Sequence, residues 1–180
     1  MSHGLHPALE RANLVGRKVA DADRDLFLAT YGPLFDHSPW VVERAWDQRP
    51  FADAKALHRA FLSVIAAATA DERRALARTH PELADQLAIA QGLTVASAKE
   101  QASAGLDRLS PAEYETFHAL DRSYREKHGI PFIICVKLND RTSILAAMRA
   151  RLDRDSDAEL DEAMTQVGLI SRLGLADIKV

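Results

Sequence analysis

Residues 110–129 carry the signals for both ends of one long helix, and similar signals recur along the chain. Ser110 and Glu113 form a capping box around Pro111, a residue favoured at the first helical position. Gly129 supplies the stop, because glycine readily adopts the left-handed conformation that ends helices. Comparable signals predict helices capped by Asp21 or Asp23, by Ser38 with Pro39 as the first helical residue, by Asp71, and by Asp155 or Ser156. Further helices are predicted to begin near residue 52, Pro81, Ser97 and residue 141.

One stretch breaks the helical pattern. Residues Ile130–Val136 are apolar and rich in β-branched side chains, which favours an extended conformation. No other segment offers a convincing strand partner, so we expect a buried extended segment near residues 130–137 instead of a sheet. Cys135 lies within it and is interpreted as a core residue. The sequence therefore predicts an all-α fold, a bundle of about eight or nine helices with this segment buried.

Length and composition limit the class of protein. The 180 residues fit one domain over residues 1–180, of which residues 1–20 are a weakly patterned extension. The net charge of -3, with basic residues scattered, argues against a nucleic-acid partner. The most apolar stretches, Phe61–Ala70 and Ile130–Val136, fall far short of the roughly 20 residues a membrane-spanning helix needs. With one cysteine and no signal-peptide pattern, we expect a cytoplasmic protein without membrane association.

His80 is the first candidate for chemistry. Because Pro81 follows it, the backbone of His80 is pushed out of the helical region and Pro81 starts the next helix. The partial positive charge of a helix N-terminus disfavours the protonated imidazole, so His80 would be neutral and able to accept a proton. The alternative is that His80 is only a cap on a surface turn.

A polar cluster opens the following helix. Ser97, Glu100 and Gln101 lie at positions i, i+3 and i+4 and therefore share one helix face. Ala104 and Gly105 continue that face and leave room for a ligand. Ser97 and Glu100 also fit a capping box, which needs no ligand but does not explain Gln101. Both interpretations are compatible, because a capped helix start is also an anion site.

The remaining polar residues give weaker signals. Arg172 lies on a mostly apolar helix, where it either binds a carboxylate or extends its charged end to solvent. None of the seven histidines forms a metal-binding spacing, so we expect no metal site. His118 and His128 lie on an otherwise polar helix and are expected to be solvated.

A set of short motifs occurs in order along the chain: Ser38-Pro39-Trp40, His80-Pro81, Leu93-Thr94, Ser97-x-x-Glu100-Gln101, Ala104-Gly105-Leu106, Gly129 to Val136, Ile144-Leu145 and Arg172-Leu173. Any single motif is common, but the ordered set is specific. Together the motifs resemble the 2-oxo-4-hydroxy-4-carboxy-5-ureidoimidazoline (OHCU) decarboxylase family, from about Phe35 to Leu175. Small departures are Asp36 in place of Glu and Ile130 in place of an aromatic residue.

This resemblance implies an all-helical, cofactor-free carboxy-lyase, usually a homodimer, that converts OHCU to (S)-allantoin in urate degradation. It implies that His80 and Glu100 are catalytic. It also implies a set of residues that bind the small ureidoimidazoline substrate, Phe132 to Ile134 through their backbone: Pro81, Ser97, Gln101, Phe132, Ile133, Ile134 and Arg172. Two alternatives stay open: a helical ligand-binding or scaffold domain without catalysis, and a hydrolase that acts on a related ureide.

Overall fold

The computed structural model describes residues 23–35, 37–80, 83 and 110–178. Within these ranges there are seven α-helices and no strand, so the predicted all-α class is confirmed. The helices expected to begin at Pro81 and Ser97 lie outside the described residues. The described helices are α1 (Arg24–Tyr31), α2 (Trp40–Trp46), α3 (Ala54–Ala67), α4 (Ala70–Arg78), α5 (Pro111–His128), α6 (Arg141–Leu152) and α7 (Ser156–Asp177), with 3-10 turns at Gly32–Phe35 and Val136–Leu138.

Three of the seven described helices start after their predicted capping residues. The carboxylate of Asp23 accepts the Leu26 N–H (2.8 Å) at the start of α1. Ser110 and Glu113 form the predicted capping box at α5, each side chain accepting a backbone N–H from the other residue. Asp155 accepts the Asp157 N–H (2.9 Å) before α7. These side chains satisfy donors that the first helical turn leaves without internal partners.

Three helix starts differ from the prediction. Helix α3 begins two residues after the predicted start at residue 52. Helix α4 begins at Ala70 with Thr69 and Glu72 as its capping box, so the assignment of Asp71 as the cap is wrong. Asp71 lies in the first turn, where its negative charge interacts favourably with the positive end of the helix dipole. Helix α2 begins one residue later than predicted, and no side-chain hydrogen bond caps it.

The chain groups into two compact units, and the single domain predicted over residues 1–180 stays a prediction. The first unit contains the residues up to Thr79 and those from Gly168 onward. Its core is an aromatic cluster in which the Phe27 ring lies 4.9 Å from Tyr31 and 5.1 Å from Trp46. The buried ring of Phe61 then packs edge-on against Phe35. These apolar contacts join α1 to its neighbours within the unit.

The second unit runs from His80 to Val167. Helices α5 and α6 pack against each other and bury large side chains, among them Phe117, Ile144 and Met148. Residues 130–136 are buried throughout, and residues 130–135 are in neither helix nor strand. The predicted buried segment is therefore confirmed, although a 3-10 turn begins at its end. Among the described residues no helix is long and apolar enough to cross a membrane.

Candidate active site

The buried segment starts where Gly129 ends helix α5. Gly129 has a φ of 69°, a left-handed conformation that turns the chain away from the helix axis. At the other end of the segment, the Cys135 N–H donates to Oε1 of Gln166 (2.9 Å) and the Cys135 carbonyl accepts from Asn139 Nδ2 (2.9 Å). Side chains therefore fix the main chain here, in place of a neighbouring strand.

Arg151 of helix α6 reaches the middle of this segment. Its Nη1–H donates to the carbonyl oxygen of Ile133 at 2.9 Å. Its guanidinium carbon also lies 4.4 Å from the centre of the Phe132 ring, in cation–π distance. Arg151 is buried, so both contacts form away from bulk water. One arginine thus holds a backbone carbonyl and an aromatic ring of adjacent residues.

Glu159 of helix α7 balances the charge of Arg151. Its side chain is 0% exposed, and its Oε1 accepts from Nε of Arg151 at 2.7 Å and from Nη2 at 2.5 Å. The Tyr124 hydroxyl donates to the same oxygen. Burial, followed by this hydrogen bond to a carboxylate, raises the pKa of Tyr124. Tyr124 therefore stays a protonated donor at neutral pH.

His80 lies at the bend that follows helix α4. Thr79 forms the C-terminal cap of the helix, and the half-buried His80 comes next. The other predicted residues of this half of the site, Pro81, Ser97, Glu100 and Gln101, lie outside the described residues. Their placement around His80 stays a prediction.

Arg172 lies in helix α7, half-buried, in the first unit. One turn earlier, the Gly168 carbonyl accepts from Nε2 of His58 (2.8 Å) and from the Ser171 hydroxyl (3.0 Å). Burial lowers the pKa of His58, and the positive charge of Arg172 lowers it further. His58 is therefore held in its neutral form beside Arg172.

Residues 20–176 match the family model described as OHCU decarboxylase. This chain belongs to the OHCU decarboxylase family. It is 38% identical over 159 residues to the 2-oxo-4-hydroxy-4-carboxy-5-ureidoimidazoline decarboxylase of Halalkalicoccus jeotgali, with 88% of each chain covered. It is 38% identical over 161 residues to the protein of the same name from Haloferax volcanii, with 89% of this chain and 94% of the relative covered.

The OHCU decarboxylase fold is also found by comparison with solved structures. The chain is similar to a crystal structure of OHCU decarboxylase in the presence of (S)-allantoin, with a TM-score of 0.65 and 17% identity. The similarity covers 86% of this chain and 97% of that one. The predicted family resemblance is thus confirmed, while the roles of individual residues in this OHCU decarboxylase family member stay predictions.

The histidine predictions have mixed outcomes. His128 is buried, with Nδ1 3.0 Å from the Ser156 hydroxyl and its ring 4.6 Å from that of Tyr124, so the expectation of a solvated side chain is wrong. His118 is half-buried against Tyr114. In the described part of the chain, no group of three or more His, Cys, Asp or Glu residues is arranged to hold a metal. Cys135 is buried, as its interpretation as a core residue predicted.

Sequence reasoning missed Arg151 and Glu159. A signal for Glu159 was present, because Ala163 and Val167 follow it at i+4 and i+8 and are buried with it. A carboxylate on an apolar helix face requires a partner, since burial of an unpaired charge is very unfavourable. The partner itself lies in another helix and was not predictable from spacing along one helix.

Proposed function

We propose that this protein decarboxylates OHCU to (S)-allantoin in urate degradation. The observation that carries the proposal is membership of the OHCU decarboxylase family over residues 20–176. Two relatives that match along most of their length are named as enzymes of this reaction. The protein is accordingly a carboxy-lyase that acts on a small ureidoimidazoline.

The reacting carbon of OHCU carries a hydroxyl and a carboxylate beside a C=N bond. When the bond to the carboxylate breaks, carbon dioxide leaves and the electron pair passes into the C=N system. As the hydroxyl loses its proton, the reacting carbon becomes a carbonyl. A proton then returns to one face of the adjacent carbon, the former C=N carbon, which gives the S configuration. The substrate itself therefore accepts the electrons, and the protein supplies orientation and proton transfer.

We assign the catalytic roles to His80 and Glu100. Neutral His80 takes the hydroxyl proton, and Glu100 orients the N–H groups of the substrate. Positioned acid–base groups of this kind typically accelerate reactions by about 10²–10⁴-fold. The half-buried position of His80 at a bend is compatible with a side chain that meets a small molecule.

The remaining predicted residues hold the substrate. Arg172 binds the carboxylate, since its guanidinium matches a carboxylate in a bidentate geometry. The backbone of Phe132, Ile133 and Ile134 pairs with ring and ureido groups. Pro81, Ser97 and Gln101 complete the set.

We also propose a homodimer located in the cytoplasm. The dimer is an implication of the family resemblance. The location is supported by the single cysteine of the chain, which is typical of proteins from a reducing compartment.

The test is the decay of freshly made OHCU. Urate, urate oxidase and hydroxyisourate hydrolase generate the substrate in the cuvette, and circular dichroism follows (S)-allantoin with and without this protein. Fast appearance of (S)-allantoin that a chelator does not slow is the expected result.

Two results would contradict the proposal. Slow formation of racemic allantoin at the rate seen without protein would favour a binding or scaffold domain. Acceleration of hydroxyisourate loss when its hydrolase is omitted, without faster OHCU decay, would instead identify a ureide hydrolase.

A further inference from the structure

Three residues from three helices meet at one buried oxygen atom. Tyr124 of α5, Arg151 of α6 and Glu159 of α7, which we call the Glu159 cluster, are joined through Oε1 of Glu159. Each side chain is almost completely buried. The Tyr124 ring also packs edge-on against Phe132, with ring centres 5.1 Å apart. Two members of the cluster thus contact the buried segment directly.

The cluster determines which way the main chain of the segment faces. Arg151 holds the Ile133 carbonyl, and Gln166 holds the Cys135 N–H two residues later. In an extended chain the polar groups of alternate residues point to the same side, and those of the residues between them point to the other. The Ile133 carbonyl therefore faces helix α6 and the Cys135 N–H faces helix α7. The alternation of an extended chain assigns the polar groups of Ile134 to the opposite side.

The main-chain groups on the other side differ from those that Arg151 and Gln166 hold. Among the residues that the structure describes, none hydrogen-bonds to the main chain of Phe132 or Ile134, although both residues are buried. Buried backbone groups are rarely left unpaired in proteins. A ligand with donors and acceptors at its ring edge, such as a ureidoimidazoline, is suited to pair with them.

We propose that Arg151, held by Glu159 and Tyr124, is a positioning residue for substrate binding. The inference rests on the proposed function and refines it. Arg151 does not touch the substrate. It fixes the Ile133 carbonyl toward the protein, so that the polar groups of Phe132 and Ile134 are presented to the ligand. Lysine cannot replace it, because one ammonium group lacks the planar fork that contacts Glu159 and Ile133 together.

Two variants test this role. Arg151→Lys keeps the charge and removes the fork. A triple variant, Tyr124→Phe with Arg151→Met and Glu159→Leu, removes the whole cluster without leaving a buried charge, and such apolar replacements are often neutral or stabilising. Arg149→Lys and Arg149→Met are the matched controls, because Arg149 is an exposed arginine on the same helix.

The measurements are the folded fraction by circular dichroism, and kcat and KM for OHCU made in the cuvette, per folded molecule. We expect kcat/KM to fall about 10–100-fold in both test variants, as misplacement by about 1 Å typically does. The controls should match the wild type. In addition, (S)-allantoin should shift the amide NMR signals of Phe132 and Ile134 in the wild type and much less in the variants.

A purely structural role predicts another pattern. It would change the melting temperature and leave kcat/KM per folded molecule and the amide shifts within about twofold of wild type, which would overturn the inference while the proposed function stands. A wild-type protein that does not accelerate OHCU decay would overturn the proposed function and this inference together.

Discussion

Glu159 is an acidic side chain without exposed surface, so the free energy of burying it depends on its immediate partners. Arg151 supplies two N–H donors and Tyr124 supplies a third to the same oxygen. The second oxygen lies 3.8 Å from Nη1 of Arg154. Taking two opposite charges out of water is compensated only when the geometry and the additional hydrogen bonds are good. The partners of Oε1 meet that condition, whereas Oε2 is buried and accepts no hydrogen bond from the described residues.

We predict that Arg151→Met alone lowers the free energy of unfolding by about 3–5 kcal/mol, because it leaves Glu159 buried and uncompensated. Adding Glu159→Leu to this variant should recover most of the lost free energy of unfolding. Urea unfolding followed by circular dichroism measures both effects. Arg149→Met, the exposed control, should change stability by no more than about 0.5 kcal/mol. If Arg151→Met and Arg149→Met lowered the free energy of unfolding equally, the stabilising role of the buried Arg151–Glu159 pair would be contradicted.

For His80 we predict a specific loss of catalysis. His80→Asn should lower kcat for OHCU by about 10²–10⁴-fold, the usual size of an acid–base contribution, and leave the circular dichroism spectrum unchanged. His6→Asn is the matched control, since His6 lies outside the residues that match the family. Turnover by His80→Asn close to that of the wild type would remove His80 from the mechanism.

His58 should make stability depend on pH. Its pKa is lowered in the folded protein from an ordinary value of 6.5, mainly by burial. The unfolded chain therefore binds more protons below pH 6.5, so the stabilisation by neutral His58 is complete above that pH and is lost as the pH falls toward the lowered pKa.

The corresponding prediction concerns His58→Gln, whose amide still donates to the Gly168 carbonyl and does not titrate. Between pH 7 and pH 5 the variant should lose less unfolding free energy than the wild type, measured by urea unfolding at each pH. His37→Asn, at an exposed position with a φ of 56° that asparagine tolerates, should follow the wild-type curve. Identical slopes for His58→Gln and the wild type would contradict the assignment.

At the scale of elements, the end of helix α5 fixes where the buried segment begins. Gly129 has a φ of 69°, and its N–H donates to the Arg125 carbonyl (2.9 Å). A side chain in this left-handed conformation costs about 1–2 kcal/mol. We predict that Gly129→Ala lowers stability by about 1 kcal/mol and that Gly129→Asn lowers it less, since asparagine is the usual substitute at such caps. Thermal unfolding of the three proteins gives the order, and an alanine variant as stable as the wild type would contradict it.

Helix starts were predictable because the capping interaction is local. Asp23, Ser110 and Asp155 each bond a backbone N–H within three residues, so the sequence alone carries the information. The wrong choice of Asp71 came from two neighbouring residues that both fit a helix start. Thr69 is favoured because Glu72, three residues later, completes the reciprocal box.

At the scale of the whole molecule, we predict a dimer. Light scattering during gel filtration should give about twice the chain mass of 19.9 kDa. The measurement belongs at several protein concentrations, since a subunit equilibrium shifts with concentration. A monomer mass at every concentration would exclude the homodimer and leave the proposed reaction untouched.

The site was only partly predictable from the sequence. The buried segment at Phe132–Ile134 was recognised because its apolar, β-branched composition differs from the flanking helices. The contacts of Arg151 with Glu159 and Ile133 were not predicted, because these residues lie in three different elements and meet only through the packing of those elements. The same applies to the buried state of His128, whose helix is polar in composition. Composition predicts the average environment of a helix, whereas packing decides whether one residue is buried and which partner it has.

The Glu159 cluster also restricts how this sequence can change over generations. A mutation at Arg151 or Glu159 alone produces a protein with an unpaired buried charge. The cost of that charge is a large fraction of the stability of a typical protein, so such a variant rarely stays folded. We therefore expect the two positions to change together, because the residue at one position limits which residues the other tolerates. In sequences descended from this chain, we expect Arg151 and Glu159 to be lost together. We also expect such sequences to carry stabilising substitutions at other positions.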